Sequence, residues 1–230
     1  VRDAAALTAA VQDLADRLGG IDVAVANAGI ATGGPLRLVG SKTVEDTIDV
    51  NLLGVWRTVR AALPSVLERR GHVLLIASAA AFLPSGGLGA YSAAKAGVEA
   101  LGRSLRIELA HHGVTVGVAY YWFLKTPMVE TGARSPVFNS AKRRGPAWLS
   151  APLPLEPAVR RTVESIERRS RSVVHPPVLR PLLLMRGLLD NAWLQRELAR
   201  PMPDVEAAFE REAERVGPDA AARGVSAPSS

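Results

Sequence analysis

Tyr91 and Lys95 stand four residues apart in the run Tyr91-Ser92-Ala93-Ala94-Lys95. On a helix that spacing puts a phenol and an ammonium on one face. A nearby cation favours the phenolate, so the pair predicts a tyrosine whose pKa falls below its ordinary ~10. Such a phenol can give or take a proton close to neutrality. Ser78 lies thirteen residues before Tyr91, at the end of an apolar run, and its hydroxyl could face the same cleft. Asn51 is an amide within a stretch that carries a helical apolar stripe, where a polar side chain is unexpected. Each residue alone has a plainer reading. Tyr-x-x-x-Lys pairs arise by chance on many helices, a serine after a strand is usually a turn residue, and a mid-helix asparagine commonly serves the surface or packing. Their joint occurrence is what points to proton transfer.

Alternating periodicities supply the elements that would position these groups. Residues 3–18 predict a helix with Asp3 as N-cap and Leu7, Val11, Leu14 and Leu18 on one face, stopped at Gly19-Gly20. Ile21 to Ala26 reads as a buried strand ending in Asn27-Ala28-Gly29. Residues 41–70 predict one long helix, kinked near Pro64, with Val44, Ile48, Leu52, Val55, Val59, Leu63 and Val66 at helical spacing. Val73 to Ala77 and Val114 to Ala119 read as further buried strands, separated by a helix from about Leu88 to His111. Helices alternating with continuously apolar strands imply a parallel sheet covered on both faces, with right-handed crossovers. In such sheets the site lies beyond the carboxyl ends of the strands, where Asn27–Gly29, Ser78 and residues 120–126 all fall.

Beyond residue 120 the texture changes: thirteen of the sixteen prolines lie there. Residues 126–155 read as a long irregular connection, 156–170 as a helix, Ser172–Val174 as a short strand, 176–198 as apolar and partly helical, 203–216 as a charged helix, and 217–230 as frayed. The expected organisation is a single domain over residues 1–200, with 126–155 and 176–200 on the substrate side, followed by a C-terminal helix and tail over 201–230.

Composition narrows the chemistry. At 230 residues the chain can build one sizeable core. It has no cysteine, which excludes disulfides and thiolate chemistry, and its four histidines lack ligand-like spacing, so no metal site is expected. Val73 to Ala94 is uncharged, yet Pro84, Gly86, Gly87 and Gly89 would break a spanning helix. The start, Val1-Arg2-Asp3, shows neither a basic n-region nor an apolar signal core, so a cytoplasmic location is the default expectation. Residues 141–200 hold twelve Lys or Arg against five Asp or Glu. That excess reads as a solvated basic face, or as a weak attraction to an anionic ligand or membrane surface. Nucleic acid is not expected, because no aromatic stacking platform is interleaved with the basic residues.

The sequence resembles the short-chain dehydrogenase/reductase family in its smaller form. The matching pieces are Ala26-Asn27-Ala28-Gly29, Asn51-Leu52-Leu53-Gly54, Ser78, Tyr91-x-x-x-Lys95 and Thr126-Pro127-Met128, and their order and separations match throughout residues 1–128. The resemblance implies a Rossmann-like, doubly wound α/β fold and hydride transfer between NAD or NADP, with the preference open, and a ketone, aldehyde or alcohol. Tyr91 would be the general acid/base. Ser78 would stabilise the substrate oxygen. Lys95 would bind the nicotinamide ribose and lower the Tyr91 pKa, and Asn51 would hold a relay water. Asn27, Ala28 and Gly29 would line the adenosine-ribose side, and Thr126 would contact the nicotinamide or diphosphate. The helices at 41–70 and 88–111 resemble the family's dimer-forming pair, so a homodimer or homotetramer is expected.

Two departures stand out. The family's glycine-rich turn after its first strand has no counterpart, and a βαβ unit takes ~30 residues or more, so the chain is expected to lack roughly 60 residues of the dinucleotide half at its N-terminus. Tyr121-Trp122 stands where the family commonly has Pro-Gly. The competing expectation is therefore a catalytically incomplete fragment or pseudoenzyme acting as a binding or oligomerisation module. The apolar, proline-rich stretch 129–200 suggests a lipophilic substrate, or only packing.

Overall fold

A computed structural model describes residues 1–83, 85–132, 151–189 and 191–224. Four parallel strands form its sheet in the order β1 (Val23–Ala26), β2 (His72–Ile76), β3 (Thr115–Tyr121) and β4 (Ser172–His175). The α/β, Rossmann-like reading is thus the observed one. Helix α1 (Ala4–Leu18) begins where the Asp3 carboxylate accepts the Ala6 N–H at 2.9 Å, and it ends at Gly19 in the left-handed region (φ 72°).

The expected single helix over 41–70 is divided. Helix α2 (Ser41–Ile48) passes through a π-helical turn (Asp49–Leu53) into α3 (Gly54–Glu68), and α3 continues through Pro64. The irregularity therefore lies at Asn51, not at the proline, and such π turns concentrate at functional sites. Helix α4 (Gly89–Glu108) carries Tyr91 and Lys95 and gives way to a short 3₁₀ turn.

Alternation sorts the strand residues between two faces. Ala24, Ala26, Val73, Leu75, Val116 and Val118 meet Val55, Val59 and Val66 of α3 and Val98 and Leu105 of α4 in the main core. Gly102 lets α4 lie close to the sheet, since a β-carbon there would sit 2.5 Å from Val118 Cγ2. Leu74, Ile76, Ala119 and Val173 face the other way, with Ile166 of α6 (Leu155–Glu167) packed against them.

That second face is unevenly covered. Val23 and Val25 remain 39% and 40% exposed, so β1 is a half-buried edge strand and not the fully buried one expected. The stripe of α1 is likewise incompletely covered, with Leu14 and Leu18 exposed. Periodicity shows that a face is apolar but not what lies over it.

Part of the expected irregular connection is helical, as α5 (Pro127–Gly132), while residues 133–150 of it lie outside the described residues. After β4 come α7 (Arg180–Leu184), α8 (Ala192–Ala199), α9 (Met202–Val216) and α10 (Pro218–Arg223). The predicted frayed end is corrected over residues 217–224. Ala221 and Ala222 are buried with Val205 and Phe209 against Leu38, Val39 and Leu88, and the Ala222 carbonyl accepts the Gly33 N–H at 2.9 Å. Residues 225–230 lie outside the described residues.

Candidate active site

Because the strands are parallel, their carboxyl ends share one edge of the sheet, and the loops leaving β1, β2 and β3 open there. Ser78 leaves β2 and caps a 3₁₀ turn, its hydroxyl accepting the Ala80 N–H at 3.2 Å and reaching the Tyr121 carbonyl at 3.4 Å. Tyr91 lies in the first turn of α4. Burial pushes its phenol above the ordinary tyrosine value, and a hydrogen bond with the Ser78 side chain pulls the other way. The Ser78 side chain thus lies within reach of the Tyr91 phenol, while its own hydroxyl is directed to main-chain groups.

Lys95 follows one turn later and is almost fully buried, at 4% exposure. Its ammonium donates to the Ile76 carbonyl at 2.8 Å, the last residue of β2, and lies 5.7 Å from the Tyr91 ring centroid. Burial lowers its pKa to about 8. The expectation that Lys95 depresses the Tyr91 pKa is thus corrected: in this arrangement desolvation acts on both groups and moves the phenol up.

Asn51 is fully buried inside the π turn, and its amide brackets one backbone unit. Its Oδ1 accepts the Ile30 N–H at 2.9 Å and its Nδ2 donates to the Ile30 carbonyl at 3.0 Å. Gly29 approaches so closely that a β-carbon there would lie 2.7 Å from Asn51 Oδ1 and 3.8 Å from Lys95 Nζ. Asn51, Gly29 and Lys95 consequently converge. Asn27 and Ala28 stand exposed just past β1. Thr126 caps α5, its hydroxyl accepting the Val129 N–H at 3.4 Å and donating to the Leu124 carbonyl at 3.3 Å.

The partners of the polar side chains were beyond reach of the sequence, because the Ile30, Ile76 and Tyr121 groups that hold them are main-chain atoms. Tyr121 ends β3 with its hydroxyl paired to that of Thr162 on α6, and Trp122 packs edge to face on Phe123 with centroids 5.1 Å apart. The Trp122 N–H donates to the His175 carbonyl at 2.9 Å, so sheet pairing continues to this point.

The constellation can bind an oxygen between two hydroxyls and pass it a proton. It also leaves a buried ammonium with donors to spare, since only one of its three N–H groups goes to Ile76.

Comparison with known proteins places these features in company. The short chain dehydrogenase family profile matches residues 1–135. An uncharacterized NAD-dependent oxidoreductase of Mycobacterium tuberculosis is 35% identical over 159 residues, covering 68% of this chain and 57% of that protein. A (-)-trans-carveol dehydrogenase of Rhodococcus erythropolis is 40% identical over 142 residues, covering 60% and 51%. The chain spans about half the length of the curated relatives it matches. Among solved structures, a carveol dehydrogenase from Mycobacterium avium in complex with NAD superimposes with a TM-score of 0.65 at 29% identity, covering 76% of this chain and 70% of that one. A short chain dehydrogenase from Mycobacterium paratuberculosis bound to NAD gives 0.63 at 27% identity, covering 75% and 69%.

Proposed function

The chain belongs to the short chain dehydrogenase family, and from that premise we propose that it is the catalytic portion of an NAD(P)-dependent oxidoreductase interconverting a carbonyl and an alcohol. The observation that carries the reading is the clustering at the strand ends of Ser78, Tyr91 and the buried Lys95, whose ammonium lies 5.7 Å from the Tyr91 ring centroid. A dinucleotide held beside Lys95 would supply or accept the hydride. The residues fit its nicotinamide end: the unspent N–H groups of Lys95 suit a ribose diol, and Gly29 packs against Asn51 beside that ammonium.

In carbonyl reduction, Ser78 donates a hydrogen bond to the substrate oxygen, steadying the charge that grows there. Tyr91 hands its phenolic proton to that oxygen, and in oxidation takes it back. Asn51 holds Ile30, and with it the loop past β1, against Lys95. Asn27, Ala28 and Thr126 line the cofactor path along the strand ends. The substrate is a lipophilic small molecule, in keeping with the carveol dehydrogenases among the relatives and the apolar segments after β3. A homodimer or homotetramer is the assembly we propose.

Titrating the chain with NADH and NADPH by fluorescence tests this reading. Saturable binding of one dinucleotide, weakened by Lys95→Ala, is the expected result. Binding indifferent to Lys95→Ala, or none at all, would favour the incomplete fragment.

A further inference from the structure

Away from the strand-end site, α6 and the outer strand β4 border a cavity of about 150 Å³. Its wall carries Arg161 from α6, Arg168 at that helix's C-terminal end, and Arg180 at the start of α7. Among the described residues none of these three guanidiniums has an ion-pair partner. Glu164 is the single carboxylate in the wall, so the lining is net positive. Ser165, also in the wall, is buried and its hydroxyl has no hydrogen-bond partner. Forked cations with no carboxylate of their own suit phosphate oxygens.

The same wall leads directly into uncovered apolar surface. Pro177 and Arg180 line the cavity, while Val178 between them is exposed. Leu184, Leu188 and Trp193 follow at 80%, 65% and 71% exposure. Several large apolar side chains this open to water over residues 178–193 mark a contact surface. Arg196 adds a further cation on α8, and the Arg200 charge is offset by Glu197. No helix among the described residues is long and apolar enough to cross a membrane.

We propose that this surface docks peripherally on an anionic phospholipid membrane. Lipid phosphates meet Arg161, Arg168 and Arg180, while Leu184, Leu188 and Trp193 enter the boundary between headgroups and acyl chains. Phosphate next to hydrocarbon is the one chemistry that suits both halves of the surface, and tryptophan is favoured at that depth. The inference stands apart from the Tyr91–Lys95 site, and its failure would leave the dehydrogenase reading untouched.

Co-sedimentation of the full chain with vesicles provides the test. The chain should pellet with phosphatidylglycerol–phosphatidylcholine vesicles at low salt, stay in solution with phosphatidylcholine alone, and be released as salt rises. The triple variant R161Q/R168Q/R180Q should lose roughly 100-fold in partitioning, from about fivefold per arginine at a charged surface. Leu184→Ser with Trp193→Ser should also weaken it, and thermal melting should show every variant folded. Absence of binding at low salt, or equal partitioning by the triple variant, would overturn the proposal. So would saturable binding of inorganic phosphate without vesicle association, which marks a soluble-anion site. Self-association that shields Trp193, with no vesicle binding, would overturn it in favour of a second copy.

Discussion

The ammonium of Lys95 lies 5.7 Å from the centroid of the Tyr91 ring and gives an N–H to the Ile76 carbonyl, so it supports the tyrosine from below without touching its oxygen. Burial then governs both groups: it keeps the phenol protonated and eases the ammonium toward neutrality. A protonated phenol is the form that reduction needs. Carbonyl reduction should therefore hold its rate through neutral pH, whereas alcohol oxidation should keep rising as pH approaches and passes the ordinary tyrosine value of ~10. Rate profiles measured in both directions check this. A reduction rate that rises as the phenol ionises would refute it.

Lys95 also makes stability depend on pH. Its folded pKa of about 8 lies below the ordinary lysine value of 10.5, so between those limits the unfolded chain binds more protons. The burial cost is fully present below pH 8 and is relieved as pH rises toward 10.5. Relative to Lys95→Met, the wild-type chain should gain up to about 3 kcal/mol across that window, at ~1.4 kcal/mol per pKa step. Urea unfolding of both proteins at pH 8 and at pH 10 measures the difference, and a constant gap between them would contradict the burial argument.

Gly29→Ala should be costly although it adds a single methyl group. The new carbon would meet Asn51 Oδ1 at 2.7 Å, and that oxygen is held by the Ile30 N–H and cannot swing aside freely. A loss of about 1–3 kcal/mol is expected from overpacking. Asn51→Ala should cost a similar ~1–3 kcal/mol by stranding the Ile30 groups. Because both changes break the same contact, the double variant should fall short of the sum of the two. Thermal melts of the set decide, and simple additivity would argue against the contact.

Glu99 is buried one turn beyond Lys95, with Arg186 against its carboxylate at 2.5 Å and Arg103 farther off at 3.5 Å. Arg186→Met leaves the buried carboxylate with the more distant Arg103 as its ion-pair partner, beside the Tyr120 side chain, and should cost about 3 kcal/mol. Adding Glu99→Gln should restore part of that loss, as denaturant melts would show. A double variant less stable than the single one would place the destabilisation elsewhere.

Much of this was legible because the decisive signals are local. The Tyr91–Lys95 spacing fixes their shared helix face whatever surrounds them, and the apolar runs of β2 and β3 admit few other fates. The π turn at Asn51 was hidden, since apolar residues keep helical spacing on both sides of it and the extra backbone residue leaves no mark in composition. The fate of Pro218–Arg223 was hidden for the opposite reason. Its small and polar residues look frayed in isolation, and only docking against Leu38 and Val39 buries Ala221 and Ala222. The raised phenol of Tyr91 belongs to the same class: a spacing argument sees the neighbouring charge but not the desolvation that outweighs it.

Turnover of a panel of lipophilic ketones with NADH or NADPH, comparing the wild-type chain with Tyr91→Phe, tests the proposed chemistry most directly. Loss of the phenolic proton should slow reduction by roughly 10²–10⁴-fold, with dinucleotide binding and melting temperature little changed. Equal turnover by Tyr91→Phe, or a wild-type chain that binds dinucleotide saturably yet transfers no hydride to any such ketone, would contradict the assignment of Tyr91 as the proton donor.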